Sequence, residues 1–161
     1  MPDSRVQLIG SSLWNEVLEA ARQSPRRRMN HNFHRGLDEN PNRFLNAMLE
    51  RTYITPHRHL DPPKPESFLV LEGRAAMITF EDGGSVLETH VLGGETIGIE
   101  IDAGVWHTLV VLTPHAVCYE VKPGPYSPAD DKSFAPWAPR EGANGCGAYL
   151  DMLLTHVRAR G

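Results

Sequence analysis

Residues 66–92, ESFLVLEGRAAMITFEDGGSVLETHVL, decide the fold of this chain. The segment contains three short apolar runs, at 66–72, 75–81 and 85–92, and a glycine-containing turn stands between each run and the next. Such runs predict neighbouring antiparallel strands, because parallel strands would need crossover connections of a dozen residues or more.

Similar runs continue on both sides of this segment. We predict further strands at 44–59, 96–101, 105–113 and 116–122, bounded by glycine or proline turns. A series of short strands without a helix between them is typical of an antiparallel sandwich or small barrel. The sequence therefore predicts an all-β fold.

Two predicted helices flank the strands. Residues 11–23 place apolar side chains at spacings of three and four, and the helix ends before Pro25. Residues 147–160 carry a second apolar stripe, with arginines in the last turn. We interpret the chain as one domain with four parts: an N-terminal helix and arm at 1–43, a barrel core at 44–122, a proline-rich wrapping loop at 123–146 and a C-terminal helix at 147–161.

Composition narrows the class of protein. The 161 residues carry 16 lysines and arginines against 20 aspartates and glutamates, a formal charge of −4, which argues against a nucleic-acid surface. No apolar run approaches the roughly 18–20 residues of a membrane-spanning helix, and the first residues lack an export signal. Cys118 and Cys146 form no CxxC motif, as is typical of a reducing compartment. We expect a soluble cytoplasmic protein that binds neither nucleic acid nor membranes.

A histidine pair carries the clearest chemical signal. His57 and His59 end a strand-like run, so alternation places both imidazoles on one face and Arg58 on the other. Glu66 opens the next strand, and His107 follows an Asp-Ala-Gly turn near the start of a later one. A lone strand histidine is more often a hydrogen-bonded core residue, but three imidazoles and a carboxylate are a ligand set for one divalent transition metal.

These residues resemble the two motifs of the cupin superfamily. His57-x-His59, Glu66 and Gly73 are similar to HxH(x)3–4E(x)6G, and Asp102-x-Gly104-x-x-His107 is similar to PxGxxH. The sequence departs from the pattern twice: six residues separate His59 from Glu66, and Asp102 stands where the motif has proline.

A closer resemblance, up to about residue 142, is to the WbuC-type cupin-fold metalloproteins found among bacterial O-antigen and surface-polysaccharide genes. The matching residues are Ser24-Pro25-Arg26, Arg28, Asn30, His34, Thr52-Tyr53, Pro56-His57-Arg58-His59, Lys64, Glu66, Trp106-His107-Thr108, Glu120-Val121-Lys122, Gly124-Pro125-Tyr126, Asp131-Lys132, Phe134-Ala135 and Trp137-Ala138-Pro139. The resemblance implies a cupin double-stranded β-helix, or jelly-roll barrel, with a metal in its mouth.

We therefore expect His57, His59 and His107 to hold one divalent ion. Glu66 is expected to act as the fourth ligand or as a base beside the ion. Imidazole suits zinc, iron, nickel and copper alike, and a carboxylate tilts the choice toward iron or manganese. Zinc, iron and manganese are the expected metals, with nickel also compatible.

Four further residues are predicted near the substrate. Arg28, Lys64 and Lys122 could bind an anionic group, because guanidinium and ammonium groups suit phosphate or carboxylate oxygens. For Arg28 and Lys64 a solvated surface position is equally compatible with the sequence. Tyr126 could act as an acid or base, although a structural anchor is the commoner role for such a tyrosine.

Three function classes fit these residues, and the fold does not decide among them. The first is an isomerase or epimerase acting on a small sugar, phosphorylated or nucleotide-linked, in surface-polysaccharide biosynthesis. The second is a non-haem Fe(II) dioxygenase. The third is a metabolite-binding or regulatory cupin without turnover. In each case we expect a homodimer with a small-molecule ligand.

Overall fold

The computed structural model describes residues 5–129 and 131–160. Its elements are α1 (Ser11–Gln23), β1 (Arg28–Asn32), β2 (Asn42–Leu49), β3 (His57–Arg58), β4 (Glu66–Phe80), β5 (Val86–Leu92), β6 (Gly98–Ile101), β7 (Trp106–Lys122), β8 (Ser133–Phe134) and α2 (Cys146–Arg158). The strands form one curled antiparallel sheet with a helix at each end of the chain. The predicted fold class, an all-β cupin-like jelly roll with two helices, is confirmed.

The β4–β7 ladder is the centre of the sheet. On the sides away from this ladder, β4 pairs with β5 and β6, and β7 pairs with β2 and with the short β3. The strands predicted separately at 66–72 and 75–81 form a single strand, β4. Those predicted at 105–113 and 116–122 likewise form β7. These two predicted strand breaks are therefore wrong.

Gly73 explains the first of these errors. The residue has φ 75° and lies at an irregularity of the ladder, where the pairing of β4 with β7 shifts register. A Cβ atom at this position would lie 2.1 Å from the backbone oxygen of His115. Gly73 therefore permits a bulge that bends the paired strands, where the sequence suggested a turn that reverses the chain.

Bending of this ladder closes the barrel. At one end Thr79 pairs with His107, and at the other Ser67 pairs with Val121. The side chains of Glu66 and His107, which belong to opposite ends of the ladder, nevertheless lie in contact. Curling of the sheet therefore brings the two ends together.

Three apolar clusters pack the barrel interior and attach the two helices to the sheet. The apolar interior of the barrel consists of Met48, Phe68, Val70, Ala75, Met77, Leu92, Ile101, Leu109, Val111, Ala116 and Cys118. Helix α1 covers the outer face of β2 through Leu18, and α2 covers another outer face through Leu153. Burial of each of these two leucine side chains stabilises the folded state by about 1.5–3 kcal/mol. Among the described residues, neither helix is long and apolar enough to cross a membrane.

Candidate metal centre and cavity

Four buried side chains converge inside the barrel: His57, His59, Glu66 and His107, the His/Glu cluster. One nitrogen or oxygen atom from each lies within 4.8 Å of those of the other three. Strand β3 supplies His57 and leads into His59, β4 begins with Glu66, and β7 supplies His107. The structure therefore brings together all four side chains that the sequence predicts as metal ligands.

Strand alternation orients the histidines. His57 pairs with His107 across the β3–β7 ladder, and their ring centroids are 4.6 Å apart. Arg58 points to the opposite face, where its guanidinium lies 4.2 Å from the ring centroid of Trp106. The predicted alternation of this segment is confirmed.

The long connection between His59 and Glu66 is a local turn. The backbone N–H of Lys64 donates to the carbonyl of His59. The turn returns the chain so that Glu66 faces the histidines, with its Oε1 atom 3.1 Å from His59 Nε2. The extra residues of the gap therefore do not remove this carboxylate from the cluster.

Backbone carbonyls set the tautomer of each imidazole. Every Nδ1 atom of the cluster lies against a carbonyl oxygen, which can only accept a hydrogen bond, so each Nδ1 carries the proton. The pairs are His57 with Thr55 at 2.9 Å, His107 with Val105 at 2.9 Å, and His59 with Asp131. Each Nε2 atom is left with a free lone pair, as a metal-binding histidine requires.

The centre of the cluster contains acceptors without donors. The Nε2 atoms of His59 and His107 lie 3.1 and 3.0 Å from the two oxygens of Glu66. Both nitrogens and Glu66 Oε2 are buried and have no hydrogen-bond partner. Lone pairs that face one another at this distance repel unless a cation lies between them. This donor set fits a divalent transition metal.

The ionisation of these groups agrees with such a site. Burial and the nearby Lys132 ammonium hold the pKa of His57 well below its usual value, so its ring is neutral at pH 7. Glu66 lies in the same buried cluster, and its ionised carboxylate is the form that a metal would bind. A neutral imidazole and an ionised carboxylate are the forms that bind metal.

A cavity of about 420 Å³ opens beside the cluster. Its apolar side is the interior of the barrel. Its polar side carries charged groups from β1, from the ends of β4 and β7, and from the wrapping loop. The lining side chains include Met48, Phe68, Met77, Leu109, His57, Glu66, His107, Arg28, Glu120, Lys122, Tyr126 and Lys132. An apolar cavity with a few convergent polar groups is typical of a small-molecule site.

Glu120 is an acid on the wall of this cavity. Burial and the charge of Glu66 raise the pKa of its carboxyl to about 7. The Nδ2 atom of Asn46 donates to Glu120 Oε1 at 2.8 Å. Near neutral pH this carboxyl therefore exists in both protonation states.

The three lysines of the protein, Lys64, Lys122 and Lys132, all lie in this region. Asp131 binds the first two, with its carboxylate oxygens 2.9 Å from Lys64 Nζ and 2.6 Å from Lys122 Nζ. Lys64 also donates to the carbonyl of Pro125, and it is not among the side chains that line the cavity. The ammonium of Lys64 thus anchors the wrapping loop, whereas Lys122 both anchors the loop and faces the cavity.

The other predicted site residues, Arg28 and Tyr126, also line the cavity. Arg28 lines the cavity and pairs with Glu141 at 2.6 Å. Glu141 also binds Arg26 at 2.9 Å, so two guanidiniums share one carboxylate. Tyr126 is partly buried on the wrapping loop, with its ring centroid 5.5 Å from Lys122 Nζ.

Glu120, Asp131 and Lys132 were not singled out as site residues from the sequence. Alternation carried a signal for the first, because Cys118 faces the barrel interior and Glu120, two residues later, must face it too. Asp131 and Lys132 lie in the wrapping loop, which has no periodicity from which their positions could be read.

A family model described as a domain of unknown function (DUF6016) matches residues 9–92. No curated protein matches the chain.

Solved structures provide more distant matches. The capsular polysaccharide assembling protein CapF from Staphylococcus aureus is similar over 66% of our chain, at 18% identity and a TM-score of 0.56. Our chain spans 29% of the CapF chain. Protein SO0799 from Shewanella oneidensis is similar at 12% identity and a TM-score of 0.53, over 81% of our chain and 82% of its own. At these identities the likeness shows the fold alone.

Proposed function

This chain belongs to the family described as a domain of unknown function (DUF6016), and we propose that it is a mononuclear metal-binding cupin acting on a small sugar-type metabolite. His57, His59, His107 and Glu66 are its proposed ligands, and the reaction is of isomerase or epimerase type. The resemblance to WbuC-type cupins supports a role in surface-polysaccharide metabolism, in a cytoplasmic homodimer.

One observation carries the metal proposal. Two Nε2 atoms and both oxygens of Glu66 face one another within 3.1 Å, while the protons of the imidazoles are held on the far side of each ring by backbone carbonyls. In the neutral tautomer that these carbonyls favour, each imidazole directs a lone pair into the centre. A cation is the partner that satisfies this arrangement.

When bound, a divalent ion supplies a Lewis acid that polarises a carbonyl or hydroxyl oxygen of the substrate. The residues of the chain divide the remaining work. The backbone carbonyls of Thr55, Val105 and Asp131 fix the ring orientations. The apolar interior below the cavity excludes water from one side of the substrate.

Glu120 favours a reaction that moves a proton. Isomerisation or epimerisation of a sugar takes a proton from carbon and returns it, so the same site needs a group that serves as base and then as acid. A carboxyl with a pKa of about 7 can do both near neutral pH. Tyr126, which also lines the cavity, is a second group that could exchange a proton.

Elemental analysis of the purified protein tests the metal site. We expect about one divalent ion per chain, and His57→Ala or His107→Ala should each reduce this to below about a tenth, because each change removes a ligand. His90→Ala is the matched control, since His90 is exposed and lies outside the cluster. Circular dichroism should show that all three variants remain folded. Full metal content in both cluster variants would contradict the assignment.

Proton exchange tests the reaction class. Reducing sugars incubated with the metal-loaded protein in deuterium oxide should exchange a carbon-bound proton, followed by nuclear magnetic resonance. Glu120→Gln should slow this exchange by about 10²–10⁴-fold, the range that general acid–base groups contribute. If the variant exchanged the proton as fast as the wild type, Glu120 would not be the acid–base group.

A further inference from the structure

Lys132 differs from the other cations that line the cavity. Its side chain lies on the cavity wall, and no carboxylate oxygen of the described residues lies within 4.0 Å of its ammonium. The neighbouring charges act on it from a greater distance, since Lys122, Glu66, Glu120 and Arg28 all influence it electrostatically. Burial also lowers its pKa.

The other cavity cations have partners. Arg26 and Arg28 are both paired with Glu141, at 2.9 and 2.6 Å, and Lys122 is paired with Asp131 at 2.6 Å. Lys132 is only partly buried, so its ammonium group is accessible to a ligand in the cavity. Among the described lining residues, Lys132 is therefore the cation left to bind something that enters the cavity.

We propose that Lys132 binds a carboxylate of the substrate, so that the metabolite is a monocarboxylate such as an acidic sugar. This inference rests on the proposed function, whose substrate class it narrows. A carboxylate carries a single negative charge and accepts a charge-assisted hydrogen bond from an ammonium group.

Charge matching favours a carboxylate over a phosphate. A phosphate monoester carries about −1.5 to −2 charges at pH 7. The acids Glu66 and Glu120, which act electrostatically on Lys132, repel such a group more strongly than a singly charged carboxylate. A neutral sugar would leave the ammonium without a partner. The cavity volume of about 420 Å³ also suits a small ligand, because ligand sites span roughly 300–1,000 Å³.

Calorimetric titration of the metal-loaded full-length protein tests the proposal. The probes are D-glucuronate, D-galacturonate and glycolate, their uncharged counterparts D-glucose, D-galactose and ethylene glycol, and D-glucose 6-phosphate. At least one carboxylate should bind more tightly than its uncharged counterpart. Lys132→Met should weaken that binding by about 10- to 100-fold, the loss expected for one charge-assisted hydrogen bond. Lys132→Arg should retain most of it.

Arg35→Gln is the matched control, since Arg35 is exposed and outside the cavity, and its substitution should leave the affinity unchanged. The proposal is overturned if no carboxylate binds, if Lys132→Met binds it as tightly as the wild type, or if the phosphate binds more tightly in a Lys132-dependent way. Metal content, measured on the same samples, separates this result from the proposed function. If the protein contains no ion, the proposed metal site is wrong. If the metal content is full but carboxylate binding does not depend on Lys132, only the proposed role of Lys132 is wrong.

Discussion

The barrel interior has two regions that are built from the same strands. In β4 and β7, the inward-facing Met77, Leu109 and Cys118 belong to the apolar cluster of the barrel interior. At the strand ends, the inward-facing Glu66, His107 and the neighbouring Glu120 are polar or charged and line the cavity. The alternation is the same in both regions, and Met77 and Leu109 also line the cavity. The side-chain chemistry therefore separates the residues that stabilise the barrel from the polar ones at the strand ends that are available for chemistry.

Polar groups of the second region depend on one another. Asp131 neutralises Lys64 and Lys122, and its backbone carbonyl orients His59. In the apolar interior, by contrast, each side chain contributes through its own buried area. Substitutions in the two regions should therefore differ in what they change besides stability.

The largest expected effect on stability comes from the buried charges. Asp131→Asn removes the carboxylate that pairs with Lys64 and leaves Lys122 with only the more distant Glu66, at 3.7 Å. We expect the free energy of unfolding to fall by about 3–5 kcal/mol. Urea unfolding followed by circular dichroism measures this loss. A decrease below about 1 kcal/mol would show that these charges are solvated.

In the apolar interior, Met77→Ala creates a cavity and should lower the free energy of unfolding by about 2–5 kcal/mol. Met77 is completely buried. Because the His/Glu cluster is untouched, elemental analysis should still find the wild-type metal content. Loss of metal with this substitution would mean that the two regions are not separable.

The difference in the free energy of unfolding between the wild type and Glu120→Gln should depend on pH. Its pKa rises from 4.5 to about 7 on folding, so the folded state binds the proton more tightly. Protonated Glu120 therefore stabilises the wild type most below pH 4.5. As the pH rises from 4.5 to about 7, the free energy of unfolding of the wild type should fall by roughly 3 kcal/mol relative to that of the variant. Urea unfolding of both metal-free proteins between pH 4 and 8 measures this difference. A constant difference would contradict the raised pKa.

The smallest effect should come from an exposed ion pair. Asp151 binds Arg51 at the surface of α2, and both side chains are about half exposed or more. Asp151→Asn, the same change as at Asp131, should alter the free energy of unfolding by less than about 1 kcal/mol. Comparable losses at Asp131 and Asp151 would remove the contrast between buried and exposed charges.

Much of the fold was readable from the sequence because alternation and turn residues are local signals. The helix predicted at 11–23 is α1, and the inward pair His57 and His59 is placed as alternation requires. Gly73 misled the prediction because the same residue type serves a turn and a bulge, and only the partner strand distinguishes the two.

The sequence by itself determined which side chains face inward, because successive residues of a strand point to opposite faces. Tertiary structure alone decided which of those residues meet. Glu66 and His107 belong to opposite ends of one ladder, and the bent sheet brings them to 3.0 Å. Lys132 reaches the same cavity from a loop without periodicity, held in place by the ion pairs of its neighbour Asp131.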